Sequence, residues 1–242
     1  MTANKLDEII AHKKHEISVV YKNFKRALQM DGLSIIGEIK RRSPSKGHFA
    51  DIHDPVLLAE DYIKAGVNAI SVLTDQKFFS GSFDDLEKIA THSQSTPVLC
   101  KDFIIDKRQI NTAAKAGADA VLLIVAVLGH KTKEFIDYTK SLNIEALVEV
   151  FNKDELDIAL ESNAKIIAVN NRNLKTFEVD TENAIRLIDF MPQHIIKVAA
   201  SGILKPELAR RYYKAGFDAV LIGEALVTSP SPAEFIRACR HE

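Results

Sequence analysis

One phrase recurs along this chain and limits its folds more than any other feature. It reads AGVNAISVLTD from Ala65, AGADAVLLIVAV from Ala116 and AGFDAVLIGEA from Ala215, with a weaker relative, SNAKIIAVNN, from Ser162. In each, a helical pattern ends at or near Gly or Asn, a short turn follows, and an apolar, β-rich run begins. Glycine just past a helix end supplies left-handed backbone at little cost. The apolar runs do not alternate with polar residues, as expected of parallel strands covered on both faces.

Further strand-like runs lie between these repeats: Leu33–Ile39, Pro97–Ile104, Glu145–Val150 and His194–Ser201. The longest apolar run, Ala120 to Leu128, is too short to span a bilayer and reads as a buried strand. Counted in order there are eight strand candidates. Helical patterns follow them at Pro55–Ala65, Phe83–His92, Asp106–Ala116, Lys131–Ser141, Lys153–Glu161, Thr181–Phe190, Lys205–Ala215 and Pro232–Cys239. Strict alternation of strand and helix predicts a parallel α/β fold. Eight such units in 242 residues predict a closed (β/α)8 TIM barrel. An open doubly wound sheet would normally carry a GxGxxG fingerprint after its first strand, and neither this nor a GxxxxGK[ST] loop occurs. No linker interrupts the pattern, so a single domain over 1–242 is expected, with 1–32 as a short helical extension ahead of strand one.

Composition narrows the partners. Thirty-two basic residues face 33 acidic ones, so no general attraction to nucleic acid or an anionic membrane exists, and anion binding must be local. The two cysteines, Cys100 and Cys239, form neither a disulfide framework nor a metal knuckle. Reduced thiols and a charged N-terminus lacking a secretion signal predict a cytoplasmic location. The eight histidines show no HExxH or other ligand spacing, so no metal is assigned; His48, His53, His92 and His130 are expected on loops or exposed helix ends.

In a barrel of this kind chemistry sits where the strands end, on the rim built by the βα loops. Strand one ends in Glu38 and Lys40, strand three carries Lys101, strand five Glu149, strand six Asn170 and Arg172, strand seven Ser201-Gly202, and strand eight Gly223-Glu224. Any one of these is ordinarily a solvated strand end. Together, charges of both signs converging on one rim predict an acid–base site. The loops after strands seven and eight are where barrels often hold phosphate, and both carry glycine turns here. The segment Arg41–Gly47, RRSPSKG, is a basic, turn-rich loop; without interleaved aromatics it reads as a mobile active-site loop rather than a nucleic-acid patch.

These residues name a family. EIKRRSPSKG (Glu38–Gly47) resembles the signature of indole-3-glycerol phosphate synthases, as do SVLTDQKFFSGSFDDL (Ser71–Leu86), LCKDFIID (Leu99–Asp106), LVEV (Leu147–Val150), VNNRNLKTFEVD (Val169–Asp180), ASGI (Ala200–Ile203) and LIGEALV (Leu221–Val227). The match runs in order from about residue 33 to the C-terminus. It implies a lyase of tryptophan biosynthesis that closes the pyrrole ring of 1-(2-carboxyphenylamino)-1-deoxyribulose 5-phosphate with loss of CO₂ and water, needing no cofactor or metal. It further implies a catalytic set of Glu38, Lys40, Lys101, Glu149, Asn170 and Ser201, and a substrate-binding set of Ser43, Arg172, Gly202, Gly223 and Glu224. Lys101 matches the acid at the ketose carbonyl, Glu149 and Glu38 the two carboxylates, and Asn170 an orienting amide. Arg172 and Ser43 match the anthranilate carboxylate contacts. Ser201, Gly202, Gly223 and Glu224 match the phosphate cradle. The chain departs from the family pattern at Ala200, where a Glu is usual, at Phe151, where a His is usual, and in a shortened segment ahead of the barrel. Loss of the strand-seven carboxylate predicts lower activity or an altered substrate fit in an enzyme that is still active.

Phosphoribosylanthranilate isomerase shares the barrel but needs a Cys at the end of strand one. A phosphate-binding barrel that has lost catalysis is the non-enzyme alternative, carried by Ala200. The partner expectation is a small phosphorylated molecule and no nucleic acid or membrane. A monomer is expected, with association with other tryptophan-pathway enzymes as a further expectation.

Overall fold

The repeats close on themselves. The computed structural model describes residues 4–20 and 22–240. Eight parallel strands form a closed barrel: β1 (Ser34–Ile39), β2 (Ala69–Leu73), β3 (Val98–Lys101), β4 (Ala120–Ile124), β5 (Glu145–Val150), β6 (Ile166–Asn170), β7 (Ile196–Ala200) and β8 (Ala219–Ile222). Each pairs with its sequence neighbours, and β8 returns to β1 with Ser34 opposite Ala219. The principal outer helices are α1 (Pro55–Lys64), α2 (Phe83–His92), α3 (Lys107–Lys115), α4 (Thr132–Ser141), α5 (Lys153–Glu161), α6 (Asn183–Leu187), α7 (Pro206–Ala215) and α8 (Pro232–Arg240).

The recurring phrase has a structural reason. Gly66, Gly117 and Gly216 take positive φ of 95°, 83° and 104° where α1, α3 and α7 give way to the next strand. Two residues later an Asn or Asp side chain accepts from a backbone N–H of the preceding strand: Asn68 from Ile35 (3.0 Å), Asp119 from Val98 (2.8 Å) and Asp218 from Lys197 (2.7 Å). The same three residues donate their own N–H to the carbonyls of Ile35, Val98 and Lys197. Each repeat thus clamps a new strand to its predecessor at two points.

Strand residues alternate between two buried cores. Ile36, Leu99, Leu122, Leu147, Ile166, Val198 and Leu221 fill the barrel, while Ile35, Ile70, Val121, Val148 and Ile167 pack under the helices. The barrel floor is closed by the short helix Phe24–Ala27, whose Phe24, with Leu28 just beyond, joins the interior cluster. The extension therefore is helical where described, over Lys5–Val20 and Phe24–Ala27; residues 1–3 and 21 lie outside the described residues.

Three expectations change. The run Ala120–Leu128 is not one strand: β4 stops at Ile124, opposite Glu149, and Val125–Leu128 turns into helix ended by Gly129 at φ 54°. An apolar run carries no mark of where it leaves the sheet. The helix expected over Thr181–Phe190 starts at Asn183, because Asn171 Oδ1 accepts from Ala184 N and Asn183 turns back to the strand ends. Its last residues, Ile188–Phe190, tighten to a 3-10 turn. Strand three is only Val98–Lys101, not Pro97–Ile104.

Candidate active site

The interior columns of the barrel continue upward into charged residues. Two residues beyond Ile36 stands Glu38, beyond Leu99 stands Lys101, beyond Leu147 stands Glu149, and beyond Ala168 stands Asn170. Alternation along a strand keeps these side chains facing the barrel axis. All eleven residues expected at the site line one cleft of about 930 Å³, open to solvent: Glu38, Lys40, Ser43, Lys101, Glu149, Asn170, Arg172, Ser201, Gly202, Gly223 and Glu224.

Glu38 is the hub. It is 3% exposed and lies 2.8 Å from Lys40 Nζ through Oε1 and 3.8 Å from Lys101 Nζ through Oε2. Burial pushes its pKa up, but the charges of Lys40 and Lys101, the hydrogen bond from Lys40 and the nearby Arg172 more than offset this, so its carboxyl is held below the usual range. Glu149 is also buried, but meets an amide: Asn170 Nδ2 donates to its Oε1 at 2.9 Å. Asn170 in turn accepts from Arg172 N through Oδ1 (2.9 Å). One carboxylate is thus locked between cations while the other is oriented by a neutral donor.

Next to Asn170, past the end of β7, Ser201 and Gly202 both adopt positive φ, 69° and 77°. Ser201 O accepts from Asn171 Nδ2 at 3.0 Å, and the fully buried Asn171 also donates to Tyr212 Oη at 2.8 Å. Beside them Gly223 begins the short helix Glu224–Val227, which no side chain caps. Exposed N–H groups at such a helix start favour an anion. The segment expected as a mobile loop is built as a two-stranded hairpin, Arg42–Ser43 against Gly47–His48. Its Lys46 Nζ lies 2.6 Å from Glu224 Oε1, Ser45 Oγ accepts from Arg172 at 3.4 Å, and Arg41 pairs with Asp85.

The sequence reading missed the apolar wall. Phe49, Phe79, Phe103, Leu174 and Phe177 line the cleft; Phe79 and Phe103 stack with ring centroids 6.0 Å apart, and Lys40 Nζ sits 5.3 Å from the Phe49 ring centre. Aromatics set in polar βα loops were the available signal. Ala200 faces the same cleft from the interior column of β7, where a carboxylate would have reached the rim. His53, His92 and His130 are exposed, on loops or helix ends as expected, while His48, also exposed, stands in the second strand of the hairpin.

Fold and site together define a (β/α)8 barrel whose strand ends bring carboxylates, ammonium groups and a guanidinium into one apolar-walled cleft. Its family follows from comparison: the indole-3-glycerol phosphate synthase family model matches residues 2–239, and the chain belongs to that family. It is 44% identical over 239 residues to the indole-3-glycerol phosphate synthase of Thermoanaerobacter pseudethanolicus, covering 92% of each chain. It is 47% identical over 207 residues to that of Saccharopolyspora erythraea, covering 85% of this chain and 77% of the relative. Among solved structures, 3-hexulose-6-phosphate synthase from Salmonella typhimurium superimposes with a TM-score of 0.70 at 15% identity, over 86% of this chain and 96% of the other, a likeness of fold alone.

Proposed function

We propose that this protein is an indole-3-glycerol phosphate synthase, a carboxy-lyase of tryptophan biosynthesis. It closes the ring of 1-(2-carboxyphenylamino)-1-deoxyribulose 5-phosphate and releases CO₂ and water. Lys101 protonates the ketose carbonyl as the new carbon–carbon bond forms. Dehydration uses Glu38 and Glu149: Glu38, kept ionised between two ammonium groups, is suited to accept a proton, and Glu149 is the second carboxylate. Lys40 lies between Glu38 and the substrate, Asn170 orients the reacting groups, and Arg172 with Ser43 receives the anthranilate carboxylate. Ser201, Gly202, Gly223 and Glu224 hold the phosphate, largely through backbone N–H groups. The hairpin and aromatic wall exclude water from the cationic intermediate. No cofactor is needed in this scheme.

The observation that carries this reading is the ion-paired cluster Lys40–Glu38–Lys101 at the head of the barrel columns, in a chain of this family. A working monomer is part of the same proposal. Two buried, unpaired thiols support a cytoplasmic setting, and no described helix is long and apolar enough to cross a membrane. Association with neighbouring enzymes of the pathway is part of the same proposal.

The test is fluorescence-detected product formation by wild type and Lys101→Ala side by side. Turnover by wild type, lowered about a hundredfold or more in the variant, is the expected result. A wild type that binds the substrate but leaves it unchanged returns the protein to a binding role, with Ala200 as the cause.

A further inference from the structure

The proposed reaction, on which this inference rests, consumes a proton. The ketose oxygen leaves as water and takes up two protons, one ring proton is recovered, and the carboxylate departs as neutral CO₂. Each turnover therefore draws one proton from solvent. Glu149 is only 4% exposed, so it meets little solvent directly.

A second opening reaches Glu149 from the side. A pocket of about 520 Å³ between the ends of β5 and β6 is lined by Glu149, Asn170, Phe151, Asn152, Glu155 and Lys175, with apolar neighbours. Its walls are mostly apolar, but it is roomy enough for water, which would find polar partners in Glu149, Asn152, Glu155 and Asn170. Glu155, in the first turn of α5, is half-buried there. Its Oε2 accepts from Phe151 N at 2.7 Å and its Oε1 from Asn152 Nδ2 at 3.2 Å. Phe151 leaves this pocket without the ring nitrogen that a His would bring.

We propose that Glu155 is the outer member of a proton relay that reloads Glu149 from solvent through this side pocket. A solvent acid gives its proton to the Glu155 carboxylate. The Glu155 O–H then passes it, through pocket water, to the Glu149 carboxylate, whose O–H bond breaks when the substrate is protonated. Both carboxylates return to their starting state, and one proton has moved from solvent to substrate. Glu155 acts through Glu149 and does not touch the substrate.

The charge state suits the role. Burial raises the Glu155 pKa; the Phe151 N–H lowers it, the Glu149 charge raises it, and Lys175 and Asn152 lower it, leaving it above the usual range. Of the elements packed on α5, β5 carries Glu145 besides Glu149, the turn Val125–Leu128 carries no charge, and the charged groups of the next turn and α4 (His130, Lys131, Lys133, Glu134, Asp137 and Lys140) are exposed.

Glu155→Gln tests the relay, because the amide oxygen still accepts from Phe151 N while the ionisable proton is gone. In dilute buffer its kcat should fall about tenfold with KM unchanged, and added imidazole should restore it without affecting wild type. Phe24→Ala, which opens a void in the barrel floor away from this pocket, should lower stability with no imidazole response. A Glu155→Gln enzyme that matches wild type, or a loss that imidazole does not restore, overturns the relay alone. A wild type that leaves the substrate unchanged overturns the functional reading and the relay with it.

Discussion

A single methyl group at position 223 would collide with the most enclosed carboxylate of the site. A Cβ built there meets Glu38 Oε1 at 2.4 Å and Glu38 Cβ at 3.2 Å. Gly223 so serves two ends at once: it opens the short helix at the proposed phosphate site and leaves room for the Glu38–Lys40 pair. Gly223→Ala should displace that pair and lower kcat/KM by about a hundredfold while the thermal midpoint barely moves; steady-state kinetics beside a melting curve decide it, and unaltered kinetics would remove Glu38 packing from the account. At this scale the sequence was most legible where a polar residue broke a strand run. Glu38, Lys101, Glu149 and Asn170 sit in register with apolar residues two positions earlier, so period-two alternation alone sent them to one axis. Phe79, Phe103 and Phe177 obey no common period, since the first ends a short helix and the others project from loops, and only the folded chain brings them to the wall.

The repeating element is a strand clamped to its predecessor by an Asn or Asp side chain, and the clamp differs in charge between units. Asn68 is neutral, whereas the Asp119 carboxyl is pushed up to about 6, chiefly by burial and against the Val98 N–H and Lys22. A folded pKa above the ordinary value of 3.8 means that folding favours the protonated form. The contribution of Asp119 is therefore full below the ordinary carboxylate range and is lost as pH rises through about 6. Asp119→Asn keeps an acceptor for Val98 N without the charge. Its stability relative to wild type should rise from near equality at pH 4 to a gain of about 1–3 kcal/mol at pH 8 in urea unfolding. A gap that narrows with pH would contradict the burial account. The repeats marked every second strand, and of the runs between them Leu33–Ile39, Glu145–Val150 and His194–Ser201 fall within two residues of the observed bounds. The run after Ala120 failed because valine and leucine serve either a strand or a short buried helix, and the change at Ile124 is set by the barrel rim rather than by composition.

Across the whole molecule the two ends of the barrel divide the work. One end is open, charged and aromatic; the other is shut by Phe24 and Leu28 beneath Ile36 and Ala69. Phe24→Ala should cost about 3–5 kcal/mol through the void it leaves in the floor, yet leave kcat close to wild type; denaturant midpoints and turnover on the same preparation separate the two effects, and a fall in kcat without destabilisation would show the ends to be coupled. The sequence marked the extension as helical, but an isolated Phe in a four-residue helix does not announce that it stops a barrel. The last helix closes the ring from outside: Arg240 donates to the carbonyl of Leu33 at 3.0 Å, to that of Gly66 at 2.7 Å and to Asn68 Oδ1 at 2.6 Å. One guanidinium thus stitches the final unit to the first two, at the same Asn that clamps β1 to β2. Around that circle the sheet keeps no free edge, so no row of unpaired backbone groups is left for another chain to extend.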